Sequence, residues 1–434
     1  MLLVFVRSIT PRLRYTFDFI FRDILGMEYS FTQDADQFSF HTGPRMSYTD
    51  RPVGDEPFFF ATSLLFEKGV HQQEISVFDW ESGKVFFATH PKFLLPFDPF
   101  AATFYLVSRY EEYLPHKRDQ HDRFDARESL AYQKGFLHLP VVDQWAYRIR
   151  DLLLHHFPGL TFQRRSYQYI STVDIDNAWA YREKGFVRTV GALGKALFRF
   201  DFSSMVDRCA VLLGSRKDPY DTYELLNILQ QRYRYPSIYF VLLGDYGEYD
   251  RNVSPYRRAF QSLIKSLADY NRCGIHPSYR SGGDAERVRL EKGRLRKMIR
   301  RDVTDSRQHF LRIRFPDTYR NLIDCDITDD YSMGYANETG FRAGTCTPFY
   351  FYDLEQEHPT HLRIHPFAVM DATLRFYQRV RPEEAMGTVG PLIKAVKAVD
   401  GNFVSLWHNE SLSEREPWVG WRTVYEELVK SASA

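Results

Sequence analysis

Tyr169-Ile-Ser-Thr-Val-Asp-Ile-Asp-Asn177 is a short β-type run that ends in two carboxylates, Asp174 and Asp176. Side chains two residues apart on a strand share a face. Both carboxylates therefore leave one strand end together, roughly 6–7 Å apart along the chain. Two like charges so placed call for a cation, a shared proton or a hydrogen-bond clamp. Asp is also a common strand stopper, so a plain turn stands beside the functional reading.

Working outward, further β-type runs follow at Ser237–Leu243, Cys273–His276, His309–Arg314, Phe349–Tyr352, Leu362–Val369 and Phe403–Trp407. Helical patterns at Tyr256–Tyr270, Asp284–Arg300, Pro316–Ile323 and Pro382–Val399 separate several of them. In the first helix Phe260, Leu263, Ile264 and Leu267 repeat at i, i+3, i+4, i+7, and Asp284 is placed to cap the second. Strands alternating with helices predict an α/β domain with a parallel sheet, open or closed into a barrel. Ahead of it, Leu2–Val6, Glu74–Phe78 and Lys84–Ala88 read as strands, Pro99–Tyr113 and Gln144–Phe157 as helices, and charged Lys117–Arg127 as an exposed loop. His116, His121 and Asp122 in that loop are expected to be solvated, and this half offers no tight cluster of catalytic groups.

The 434 residues exceed one ordinary domain, and the division expected is 1–162 and 163–434. A 44% hydrophobic, 26% charged composition is that of a globular chain, and 36 Phe with 28 Tyr provide for wide aromatic cores or sugar-stacking surfaces. The net charge of +1 exerts no general pull on nucleic acid or acidic lipid. The apolar start Met1–Val6 is short and precedes Arg7, Arg12 and Arg14, the reverse of a secretion signal. No run has the length of a membrane span. Cys209, Cys273, Cys325 and Cys346 lack CxxC spacing and read as free thiols, so a cytoplasmic location is expected.

Polar residues gather at the strand ends. They are Asp174 and Asp176, His276, Arg307 and His309, Asp329 and Asp330, His365, and His408 with Asn409 and Glu410. In a βα barrel such positions converge on one mouth. A lone strand-end histidine is usually a hydrogen-bonded core residue. A carboxylate pair with several histidines is the usual material for a catalytic divalent metal. Such a site suits Zn, Co, Ni or Fe.

From about residue 168 onward, the ordered motifs Val-Asp-Ile-Asp, Gly-Ile-His-Pro-Ser, Ser-Arg-Gln-His, Thr-Asp-Asp-Tyr-Ser, Ile-His-Pro-Phe and Leu-Trp-His-Asn-Glu resemble a divergent branch of the polysaccharide deacetylases, carbohydrate esterase family 4. The resemblance implies an irregular (β/α)7 barrel, preceded by a smaller uncharacterised α/β domain. It also implies a metal-dependent hydrolase that removes acetyl groups from an N-acetylated sugar or polysaccharide precursor. Asp174 would be the base, Asp176 and His276 metal ligands, Arg307 the residue that aims the base, and His408 the general acid. Arg280 stands where the family has its second ligand histidine, so His309 or a water would complete the shell. The cofactor implied is a divalent metal, zinc first. Trp407, Tyr331, Tyr279 and His365 are candidates to line the sugar site, with barrel packing the alternative for the three aromatics. Asp329 and Asp330 could hold His408 or Arg307, or make a turn.

Three rivals remain at this level. One is a deacetylase fold that binds glycan without cleaving it. Another is a glycoside hydrolase built on the paired carboxylates. The third is a scaffold for polysaccharide synthesis. The partners expected are a carbohydrate substrate, no nucleic acid and no membrane span.

Overall fold

The computed structural model describes residues 1–81 and 83–434. Near the N-terminus Leu2–Phe5 (β1), Tyr29–Thr32 (β2), Arg45–Thr49 (β3) and Phe58–Phe60 (β4) form a parallel sheet in the order β2-β1-β3-β4. Phe78–Trp80 (β5) and Gly83–Val85 (β6) pair antiparallel, so the strands expected at Glu74–Phe78 and Lys84–Ala88 are displaced. The first long helix runs over Pro99–Val107, where Asp98 accepts the N–H groups of Phe100 and Ala101. It stops short of Tyr113 because Arg109 takes a left-handed φ of 54°.

The second sheet holds nine strands. They are Gln168–Ile175 (β7), Ser237–Val241 (β8), Arg272–Ile275 (β9), Asp305–Ser306 (β10), Asp329–Asp330 (β11), Phe349–Asp353 (β12), His358–Ile364 (β13), Val369–Met370 (β14) and Asn402–His408 (β15). The order is β12-β13-β11-β10-β9-β8-β7-β15-β14, parallel throughout except for the β12–β13 pair. The mixed α/β class and the parallel sheet therefore match the expectation. The ladder differs from a closed seven-stranded ring, since β12 occupies the free edge of β13 that ring closure would need. The sheet nevertheless curls. Leu311 beyond β10 packs with Phe367 just ahead of β14, Met370 of β14 and Leu406 of β15.

Strand alternation decides what faces inward. On β7, Tyr169, Val173 and Ile175 join the large core under the helices, whereas Ile170 packs into the small inner clusters. The helix Arg258–Tyr270 buries Phe260, Ile264 and Leu267 as its period predicts, and Asp284 caps Ala285–Ile299 by accepting the Arg287 N–H. His309–Arg314 is not a strand. It turns sharply through Phe310 and Leu311, both left-handed at φ 60° and 55°. Non-glycine residues in that region cost about 1–3 kcal/mol each and mark a constrained segment.

One apolar core runs from Leu2 and Phe100 through Tyr169 and Phe403 to Val429. Buried polar ties join the two halves. Arg342 donates to Glu112 at 2.6 and 2.9 Å, and Arg109 donates to the same carboxylate at 2.8 Å. Asp143 accepts from Thr345 and Arg165. Arg12 meets Glu357 at 2.5 Å.

Candidate active site

Asp174 ends β7 and Asp176 lies one pleat beyond, both on the inner face set by the alternation just described. His276 follows β9, Arg307 and His309 follow β10, and His408 is the last residue of β15. The curl of the sheet brings these strand ends together. A cavity of about 300 Å3 is lined by Asp174, Asp176, His276, His309 and His408, with Glu410, Gln308 and Arg123 beside them.

Asp174 is buried, and its Oδ1 accepts Arg307 Nη1–H at 3.0 Å. The Arg307 Nε–H donates to the Tyr331 carbonyl at 3.0 Å, and its guanidinium lies over the Phe240 ring, so the cation has one orientation. Asp176 is the hub. Its oxygens lie 3.2 Å from His276 Nε2, 3.4 Å from His309 Nε2 and 3.6 Å from His408 Nε2. Burial opposes ionisation of Asp176, but the His309 and His276 imidazoles beside it hold its carboxyl well below the usual range.

Each imidazole is fixed through its other nitrogen. His276 Nδ1–H donates to the Arg307 carbonyl at 2.6 Å, His309 Nδ1–H to Asp250 at 2.9 Å and His408 Nδ1–H to Asp371 at 2.8 Å. These bonds aim all three Nε2 atoms at Asp176. Burial lowers the pKa of His309, but Asp176 and Asp250 outweigh it and push the ring up to about 9. Burial likewise disfavours protonation of His408, yet Asp371, with Asp176 and Asp174, raises its pKa well above the ordinary histidine value. Burial pushes Glu410 up to about 7, against the nearby charge of His408.

One ligand atom from each of Asp176, His276 and His309 lies within 4.8 Å of the others, a spacing suited to one cation. The chemistry of the set agrees with a borderline metal: two imidazoles with held tautomers and one carboxylate. Asp176 Oδ1 is buried without a hydrogen-bond partner, an atom left wanting a cation. Arg280 does not enter this cluster. Its backbone N–H leans on Asp250, the carboxylate that orients His309.

The sugar-lining candidates fall elsewhere. Trp407 sits between Leu406 and His408 on β15, so the pleat turns it outward against Trp421 and Tyr425, fully buried. Tyr331 stacks on His365 at 4.2 Å inside the sheet, and His365 is tied to Asp329 at 2.7 Å. Neither ring lines the cavity. Tyr279 packs against Tyr249 and meets His121 Nδ1 at 3.3 Å, outside the lining. Asp329 thus holds His365, and Asp330 accepts from Ser306 and Ser332, so neither holds His408 or makes a hydrogen bond to Arg307. The apolar walls are Phe310, Leu311, Met370, Phe376, Tyr377 and Trp418 instead. Trp407→Phe is therefore expected to cost about 1–3 kcal/mol of stability, as a core truncation does, with KM unchanged. Denaturant unfolding beside steady-state kinetics measures both, and a raised KM at wild-type stability would contradict the packing.

The loop Lys117–Arg127 is not an exposed tether. His121 and Arg123 are buried, because the loop folds over the site end of the sheet. Arg123 donates to the Phe310 carbonyl at 2.9 Å and to the Tyr377 hydroxyl at 3.1 Å, so the N-terminal half contributes a cation to the wall. Sequence reading passed over Asp371 although it follows the β-type end Val369-Met370, the same signal that marked the others. Asp250 lies in a loop after Gly247-Glu-Tyr and carried no such signal.

Residues 2–158 match the model of a family described as of unknown function (DUF7033). No curated protein matches. Among solved structures, the chain is similar to a proposed polysaccharide deacetylase from Mycobacterium smegmatis at 13% identity and TM-score 0.41, covering 63% of this chain and 87% of that one. The polysaccharide deacetylase Bc1974 of Bacillus cereus gives 11% identity and TM-score 0.30 over 62% and 86%. A 4-alpha-glucanotransferase from Thermococcus litoralis gives 13% and 0.37 over 62% and 38%. Likenesses of this strength leave the chemistry to be argued from the site itself.

Proposed function

We propose that this chain is a metal-dependent hydrolase that removes acetyl groups from an N-acetylated sugar or polysaccharide precursor. The observation that carries the reading is a buried Asp174–Arg307 pair beside the Asp176, His276 and His309 cluster, with the His408–Asp371 pair at the same cavity. A glycan binder has no need of both a base and an acid around one ion site. The two domains proposed are 1–162 and 163–434, with the second holding the cluster and the first supplying Arg123.

Asp176, His276 and His309 would hold the ion. When bound there, a divalent cation polarises the acetyl carbonyl and makes a water acidic enough to attack near neutral pH. Asp174, its Oδ1 fixed by Arg307, keeps Oδ2 free to take a proton from that water as the water oxygen bonds to the carbonyl carbon. His408 carries its transferable proton on Nε2, because Nδ1–H is committed to Asp371, and gives it to the nitrogen as the C–N bond breaks. Acetate and a free amine leave. Phe376, Tyr377 and Trp418 form an apolar wall beside these groups.

The test is acetate release from N-acetylated oligosaccharides by protein purified without chelator, alongside elemental analysis. Asp174→Asn is expected to keep the metal and lose about 10²–10⁴-fold in kcat. A metal-free wild-type protein that still hydrolyses, or a metal-loaded one that releases no acetate from any acetylated glycan, would refute the proposal.

The acid predicts its own pH signature. Activity requires protonated His408, so rate falls as pH rises through its raised pKa. Asp371→Asn removes the neighbour that raises it most. The alkaline limb of the rate profile should then move to lower pH, with kcat reduced about 10²-fold. An unmoved limb would show that His408 is not the group read there.

A further inference from the structure

The insert between β7 and β8 carries two helices, Phe186–Phe198 and Phe202–Leu212, and the first buries no residue at all. Phe186 is 83% exposed, Phe198 87%, Phe200 79% and Leu213 84%. The exposure is patterned. Phe186, Val190 and Leu197 follow helical spacing on one outward face, and Phe202, Val206 and Leu213 do so on the second helix and its end. Single exposed apolar residues need no explanation, but contiguous apolar stripes on adjoining helices mark a contact surface.

The charge of this segment differs from that of the whole. Residues 184–217 contain seven basic and two acidic residues, a surplus of five positive charges, in a chain whose net charge is +1. Lys195 and Arg199 flank Leu197 and Phe198 and are exposed. Glycines 191 and 194 open the first helix face and leave it shallow, with nothing within 4 Å of where a side chain would start. No described helix is long and apolar enough to cross a membrane. Short helices with Phe and Leu on one side and Lys and Arg around them lie in the plane of a lipid interface.

The hairpin is rooted at the site end of the sheet. Lys184 Nζ donates to Asn177 Oδ1 at 2.8 Å, next to Asp176, and Arg188 donates to the carbonyls of Asn252 and Arg251. We propose that residues 186–213 form a docking element for an anionic lipid bilayer, which places the mouth of the cavity at the membrane surface. Resting on the hydrolase reading, this names the substrate class: an acetylated sugar attached to a lipid. The basic surplus favours an acidic bilayer over a second copy of this chain, which would bring the same positive charges together.

The test is co-sedimentation of the full chain with phosphatidylcholine vesicles, with and without phosphatidylglycerol. Binding is expected to the anionic vesicles, weakening as salt rises. A triple variant, Phe186→Ser, Phe198→Ser and Phe200→Ser, should bind at least about tenfold more weakly with an unchanged unfolding midpoint, because these side chains are exposed. Lys195→Glu with Arg199→Glu should remove the preference for the acidic lipid. Wild-type protein that ignores both vesicles, a triple variant that binds as the wild type does, or self-association through this face without vesicle binding would overturn the proposal. Vesicle binding is read without catalysis, so a failed hydrolase assay leaves this result independent.

Discussion

Asp176→Asn is expected to strip the protein of bound divalent metal and to lower acetate release by at least about 10³-fold. Asn keeps the size of the side chain, so the loss is one of charge. The carboxylate faces three imidazole nitrogens at 3.2, 3.4 and 3.6 Å and supplies the negative charge of the proposed ligand set. Losing a mere supporting partner of a metal site costs 10–100-fold in affinity, and a ligand lost outright costs more. His276→Ala should behave the same way, since both its ring nitrogens are committed to the site. Elemental analysis and calorimetric titration with zinc measure the first effect, and acetate release the second. An Asp176→Asn protein that retains stoichiometric metal would place the ion elsewhere and undo the ligand assignment.

The second large effect concerns stability. Arg342→Ala is expected to destabilise the fold by about 3–5 kcal/mol. Glu112 is buried between Arg342 and Arg109, at 2.6 and 2.8 Å. Burial alone would raise its pKa, but the two guanidinium groups hold it below the usual glutamate value. Removing one cation leaves a partly uncompensated buried carboxylate, which is where the cost arises. A group with a depressed folded-state pKa contributes stability above its unfolded pKa of about 4.3 and loses it as pH falls through the folded value. The wild type should therefore lose this contribution on acidification, and Arg342→Ala should narrow its gap to the wild type at low pH. Glu112→Gln introduced together with Arg342→Ala should recover part of the loss, because the side chain at 112 is then uncharged and buried Arg109 keeps Glu111 as its partner at 2.8 Å. Denaturant unfolding at two pH values checks the signs, and a loss below about 1 kcal/mol at neutral pH would show that solvent reaches the pair.

Asp174, Asp176, His276 and His408 were legible as strand-end residues, whereas His309 opens a turn where a strand was expected, and the part of Arg307 beside Asp174 was implied by the resemblance alone. The strand ends followed from β-type runs with a period of two, a signal carried locally by each segment. The pleat also held the clue to Trp407: its neighbours Leu406 and His408 face inward, so an indole between them must face out. The aromatic walls were not legible, because Phe310 and Trp418 belong to turns and loops and Phe376 to a helical segment of five residues, too short to show a periodicity.

The chain's local pattern determined the α/β class, the parallel sheet, the order of the polar strand ends and the burial stripe of helix Arg258–Tyr270. Only the tertiary structure decided that β12 takes the edge a closed ring would need, that the loop around Arg123 covers the site, and that Asp250 and Asp371 orient the histidines. The physical reason is range. Periodicity and turn chemistry act over a few residues, whereas the partner of a buried imidazole lies 37 residues away for His408 and 59 for His309, and the docked loop of Arg123 meets Phe310 across 187.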